Sequence, residues 1–256
     1  MKIITIDIKS RYKRFSLLLK IIAFSLLVLI PSEIASQLYV KSARYEEALS
    51  KLTEEKLVII DAGHGGEDCG AIGKNGVYEK DLNLEIAFLL GQRLSEMGYA
   101  VIYTRTNDAL LYRESENIKG IRKISDLKNR CKFGAENPNA IFVSIHMNTF
   151  GDSAYSGLQV YYSVKNEESR LLAENIQDNV KTRLQQKNNR KTKLGKSMYL
   201  MENLENAAVL IECGFLSNTE ECKKLCEKEY QKELSFAIVC GIIEYKNESI
   251  SKNNGK

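Results

Sequence analysis

The chain has only two histidines, His64 and His146, and each stands where an apolar run gives out. "VIIDAGHGG" carries the first, "AIFVSIHMN" the second, and a third run, "AAVLIE", ends on Glu212. Glu79 lies fifteen positions beyond His64, at the start of a helix-friendly segment. Two imidazoles and a carboxylate form a three-ligand set that leaves a fourth tetrahedral position for water, the layout of a catalytic zinc rather than a closed structural one. His64, Glu79 and His146 are therefore the expected metal ligands, with Zn2+ the expected ion. Such an ion lowers the pKa of its water to about 7, and a carboxylate outside the coordination shell must take and return a proton. Glu212 is the expected catalytic acid/base.

Each residue taken singly has a plainer reading. A histidine at a strand end is commonly a satisfied polar residue, and Glu79 could serve only as an acid favouring a helix N-terminus. The coincidence of four such positions is what points to chemistry. The glycines beside His64 are expected to allow a tight turn of positive φ at Gly63, Gly65 and Gly66, so that backbone passes close to metal or substrate. "GHGGEDCGAIGKNG" lacks both the GK[ST] ending of a P-loop and the spacing of a dinucleotide site. Asp61 either orients a ligand histidine through its other ring nitrogen or forms the turn. Asn148 or the main-chain N–H groups of residues 63–66 are the candidates for stabilising an oxyanion.

These residues require strands that end on one rim. "LVIID", a helix from about Glu79 to Met97 stopped by Gly98, and "AVIYT" alternate as a layered α/β chain does. A second helix is expected from about Ser125 to Glu136, before Pro138. "AIFVSIH" is apolar throughout, as suits a strand covered on both faces, whereas "GLQVYYS" alternates and is expected nearer a sheet edge. Leu172, Ile176, Val180 and Leu184 mark one face of a long helix, followed by "QQKNNRKTK" as a solvated turn or loop. "AAVLIE" is the last strand and "YQKELSFAIVCGIIEY" the closing helix. The expectation is α/β: a single layered domain with a mostly parallel twisted sheet flanked by helices, whose ligands bind beyond the carboxyl ends of the strands.

That domain is expected over 57–246, with 247–256 a disordered tail. Residues 1–20 hold six Lys/Arg against Asp7, so the net +4 of the chain resides there and the remainder is slightly negative. A nucleic-acid partner, which needs a basic stripe on the folded part, is excluded. The basic head (1–14) leads into an apolar stretch from Phe15 to Ile30, within a segment 15–37 that reads as an uncleaved signal anchor, with a signal peptide as the alternative. Residues 38–56 read as a linker or stalk. The domain is then extracytoplasmic, membrane-anchored or secreted. The six cysteines show no CxxC pair and read as core-filling thiols.

"DAGHGG", "EKDLNL", "FVSIHMN" and "VLIECGFLSN", in that order, resemble the zinc-dependent N-acetylmuramoyl-L-alanine amidases of bacterial cell walls, the amidase type 3 family, over about Leu57 to Tyr245. The resemblance implies a peptidoglycan substrate, zinc on His64, Glu79 and His146, and Glu212 as acid/base. "KGIRKISDLKNR" and the N-terminal membrane segment are most similar to the germination-specific amidases of spore formers. That subtype implies work between the membranes of a developing spore in forming the muramic-δ-lactam of cortex peptidoglycan, with a peptidoglycan deacetylase in the same pathway and the need for an accessory activator left open. Cys69 and Ala207 stand where the family pattern leads one to expect proline. The competing readings are a tethered, non-catalytic peptidoglycan-binding protein and a zinc peptidase acting on stem peptides.

Overall fold

The computed structural model describes residues 15–20, 39–44, 56–112 and 122–254. The chain divides into two units, Met1–Leu52 and Thr53–Lys256. In the first, residues 15–20 and 39–44 are helical, and Phe15, Leu17, Leu18 and Leu19 are exposed. Among the described residues no helix is long and apolar enough to cross a membrane. The basic head, most of the expected anchor and most of the expected linker lie outside them.

In the second unit six strands form one sheet: β1 (Leu57–Ala62), β2 (Ala100–Tyr103), β3 (Ile141–Asn148), β4 (Gln159–Tyr162), β5 (Lys193–Leu194) and β6 (Ala208–Phe215). The helices are α1 (Glu79–Glu96), α2 (Arg122–Glu136), α3 (Glu168–Arg183), α4 (Tyr199–Asn203), α5 (Thr219–Leu225) and α6 (Lys228–Asn254). The strand order is β2-β1-β3-β6-β4-β5. Only the β4–β6 pairing is antiparallel, so the expected mostly parallel sheet flanked by helices is what forms.

The continuous apolar runs of β1, β3 and β6 place them at the centre, with both faces buried. On one face Val58, Ile60, Val143, Ile145, Val209 and Ile211 pack with α1, α3 and α6. On the other, Ile59, Phe142 and Leu210 meet Leu200 and Met201 of α4 and Leu127 of α2. Leu82, Ile86, Leu90 and Leu94 give α1 its inward stripe and are all buried, each such burial contributing about 1.5–3 kcal/mol. The orphan amides at its start are met by a loop: the N–H groups of Glu79 and Lys80 donate to the carbonyls of Ala71 and Cys69. That contact docks the turn after His64 onto α1, with cysteine rather than proline at position 69.

Three expectations need correction. Lys193, read as part of a solvated loop, belongs to the edge strand β5, whose two residues are too short to carry a period of their own. The residues expected to form a disordered tail continue α6 through Asn254, because 246–254 contain neither glycine nor proline to stop it. All six cysteines are free; Cys213 and Cys222 are buried in the core and Cys131 and Cys226 pack against it, as read, but Cys69 and Cys240 are partly exposed and stand outside both core clusters.

Candidate metal centre

His146 and Glu212 are register partners on adjacent parallel strands, so their side chains leave the same face of the sheet at its carboxyl rim. This is the face carrying Phe142 and Leu210, just past the point where α2 and α4 cover it. Gly63 follows β1 on the same rim, its N–H donating to the Ile145 carbonyl at 3.0 Å. A Cβ on Gly63 would sit 2.2 Å from two atoms of the His146 ring. The absence of a side chain is what admits that ring, and positive φ is not the reason for glycine at this position. Positive φ falls on Gly65 (139°) and Gly66 (56°), as expected, and on His64 itself, at 61°, which costs a non-glycine residue on the order of 1–2 kcal/mol.

His64, Glu79 and His146 converge. One Glu79 oxygen, Oε1, lies 3.1 Å from His64 Nε2 and 2.9 Å from His146 Nδ1. The two rings are set edge to face at 4.9 Å between centroids. The potential ligand atoms of the three residues all lie within 4.8 Å of one another. Bonds of about 2.1 Å in a tetrahedral shell would space donors about 3.4 Å apart, so the donor set fits one small divalent ion. Glu79 is fixed further by the N–H groups of Met147 on Oε1 and Ala71 on Oε2. At Gly70, where φ is +65°, a Cβ would stand 2.5 Å from Glu79 Oε2, so this turn too closes directly over a ligand.

The charges respond to this crowding. Burial would raise the Glu79 carboxyl, but hydrogen bonds from the two rings outweigh it and hold it well below the usual carboxylate range. Burial favours a neutral His64, yet Asp68 and Glu79 outweigh it and push its pKa up to about 9. Asp68 Oδ2 lies 2.9 Å from His64 Nδ1, a close ion pair not aligned as a hydrogen bond. Glu212 is the opposite case. Burial pushes it up to about 7, with His146 offsetting part of the rise and Glu79 adding to it, and its Oε2 has no hydrogen-bond partner among the described residues.

Residues 58–244 match the N-acetylmuramoyl-L-alanine amidase family. The chain belongs to that family. It is 37% identical over 193 residues to the germination-specific N-acetylmuramoyl-L-alanine amidase of Bacillus subtilis, covering 75% of this chain and 81% of that one. Among solved structures, the CwlD amidase of Clostridioides difficile, in complex with the GerS lipoprotein, superposes with a TM-score of 0.70 at 41% identity. That match covers 74% of this chain and 98% of the other. The catalytic domain of the CwlV amidase from Bacillus (Paenibacillus) polymyxa superposes at 0.62 with 30% identity, covering 75% and 98%.

What holds the rim of this amidase-family chain in shape is a pair of buried arginines that the sequence pattern did not single out. Arg130, 1% exposed, donates to the carbonyls of Ala62 (2.8 Å) and His64 (2.7 Å). Arg105 donates to those of Ala62 (2.8 Å) and Gly63 (3.0 Å), and Asn83 adds a bond to Gly63 at 3.1 Å. These bonds secure the strained His64 backbone. Asp61, expected to orient a histidine or form the turn, does neither. It accepts from Arg130 and from the hydroxyls of Thr104 and Ser144, each at 2.6 Å. Burial would raise Asp61, but Arg130 and the two hydroxyls outweigh it and lower it. The carboxylate against His64 is Asp68, four residues on. Asp126, Arg130 and Gly134 form an i,i+4 stripe, and that Asp–Arg spacing was the available sign of a buried ion pair.

Of the four main-chain donors considered for an oxyanion, three are already engaged. Gly63, Gly65 and Gly66 give their N–H groups to Ile145 O, Asp68 O and Asp108 Oδ1. Asn148, where the β3–β6 register shifts, is partly exposed at the rim.

Proposed function

We propose that this protein hydrolyses the amide bond between N-acetylmuramic acid and L-alanine in peptidoglycan, with zinc as its metal. The observation that carries the reading is the meeting of His64, Glu79 and His146, with Glu212 beside His146 on the neighbouring strand. A zinc ion held by those three side chains would supply Lewis acidity at the scissile carbonyl and acidify water. Glu212 is the group left to move protons: ionised, it accepts one from the attacking water, and it then returns it to the departing amine nitrogen. Its unpartnered oxygen and its pKa near 7 suit both steps. Asn148 and the His64 N–H are the donors left for the developing oxyanion. Asp68 and the arginine-bound turn hold His64 in orientation.

The likeness to a germination-specific relative supports a place in spore cortex maturation, in forming muramic-δ-lactam together with a peptidoglycan deacetylase. Tethering outside the cytoplasmic membrane rests on the basic head followed by the apolar stretch Phe15 to Ile30. An extracytoplasmic accessory partner belongs to the same reading, since the C. difficile relative was solved with a lipoprotein.

The test is mass spectrometry of cortex or wall material after incubation with the purified protein. Released stem peptides with a free L-alanine amino terminus, lost with chelator and restored by zinc, are the expected result. New amino termini within the stem would make it a peptidase, and wall binding without release would make it a non-catalytic binder.

A further inference from the structure

Beyond His146 the chain of β3 runs on to Phe150, and beyond Glu212 that of β6 runs on to Phe215. Fully extended, these steps reach at most about 13 Å and 10 Å. They end in an aromatic cluster on the same rim. The Phe150 and Tyr155 rings meet edge to face at 4.7 Å between centroids, and Tyr155 lies 6.2 Å from Phe215. The Arg190 guanidinium sits 4.5 Å from the Phe215 ring centre and 5.6 Å from that of Tyr155. Phe215 is 3% exposed, whereas Phe150 and Tyr155 are 56% and 46% exposed, so a buried base carries two outward rings.

The loop bearing these rings is built rather than loose. The N–H of Phe150 donates to Ser217 Oγ (3.1 Å), Asn218 donates to the Ser153 carbonyl (2.8 Å), and Gly157 N–H donates to both oxygens of Glu221 (2.8 and 3.0 Å). Arg190 Nε donates to the Ser156 carbonyl at 2.8 Å and its Nη1 to Gln159 at 3.3 Å. Its flat face is covered by the rings and two of its nitrogens are committed, so it works as a support for Tyr155 and Phe215. What the cluster offers outward is ring surface with a phenolic hydroxyl at its edge.

Resting on the amidase reading above, we infer that Phe150 and Tyr155 form a subsite for the glycan strand, stacking on the sugar adjacent to the N-acetylmuramic acid whose amide is cut. A pyranose ring has an apolar C–H face and a hydroxyl rim, the counterpart of this platform. A stem-peptide carboxylate would instead need an outward cation. The short reach along the two strands from His146 and Glu212, at most about 13 Å, keeps the rings within range of a sugar next to the reacting one. The rigid loop means that little ordering is needed on binding.

The test uses the full-length protein and two substrates carrying the same peptide, one on a disaccharide and one on a single N-acetylmuramoyl residue. The wild type is expected to favour the disaccharide substrate. Tyr155→Ala, and Phe150→Ala to a lesser degree, are expected to lose that preference through an increase of about tenfold in KM, the loss expected for one buried aromatic contact. Equal losses on both substrates, or losses that grow with stem length, would overturn the subsite. A second arm measures calorimetric binding of stem-free glycan, with Phe236→Ala, an exposed ring on α6 in the opposite layer, as control. Binding weakened by Tyr155→Ala and not by the control is expected; no binding by the wild type would refute the proposal. If the wild type cleaves neither substrate, the amidase reading fails by itself, and the glycan arm still judges the platform.

Discussion

The turn from Asp61 to Glu79 and the end of β6 at Glu212 lie on one rim and are built in opposite ways. Around the turn nearly every polar group has several partners: Glu79 engages two imidazoles and two main-chain N–H groups, and the carbonyls of residues 62–64 are held by two buried arginines. Glu212 is part-buried, with one oxygen, Oε2, shut away from solvent and without a hydrogen-bond partner among the described residues. The difference separates two tasks. Groups that hold an ion must keep their geometry, so the fold over-determines them. A group that exchanges protons must change charge at little cost, and burial with few partners brings its pKa to about 7.

The largest effect that could break this contrast is on turnover. Glu212→Gln keeps shape and removes the proton carrier, so kcat is expected to fall by about 10²–10⁴-fold while zinc content, read by elemental analysis, stays at the wild-type level. Near-normal stem-peptide release would remove Glu212 from its role. Next is Arg130→Ala, which strands Asp61 and Asp126 in the interior. Losing one partner of a buried pair costs about 3–5 kcal/mol, to be read from urea unfolding, and metal content should fall with it as the His64 carbonyl is released. Asp68→Asn should weaken zinc binding about 10–100-fold, the usual scale for a group that orients a ligand histidine, as followed by competition with a chromogenic chelator; wild-type affinity would show that the turn positions His64 without Asp68.

The smallest effects are in pH dependence. A base must be ionised, so kcat/KM should fall as the medium is acidified through the Glu212 pKa, at or below about 7 because a bound cation lowers it further. In metal-free protein the sign for stability is the reverse. The folded pKa of Glu212 lies above its ordinary value of 4.5, so the cost of ionising it is absent below about 4.5 and complete above about 7. Glu212→Gln should therefore raise the melting temperature relative to wild type above pH 7, with the difference vanishing as pH falls below 4.5. A difference independent of pH would mean that Glu212 is not held in a desolvated place.

Much of this site was legible because the signals were local. An apolar run that stops at a histidine or glutamate states that a polar side chain waits at a strand end, and the parallel sheet implied by alternating strands and helices sends those ends to one rim. Helix α1 could be read to within a residue of its end from the spacing of Leu82, Ile86 and Leu90 and from Gly98. Contacts across long separations could not be read in that way. Asp61 and Arg130 meet 69 residues apart, and each looks in the sequence like an ordinary polar residue; only packing gives them to each other and leaves Asp68 against His64. Gly63 looked like a turn former until the His146 ring, 83 positions later, was seen to occupy the place of its side chain. The sequence by itself thus determined which residue types stand at the strand ends, since periodicity and turn chemistry act between near neighbours. Tertiary structure alone decided what each of them touches, because burial and strand register couple residues that the chain keeps apart.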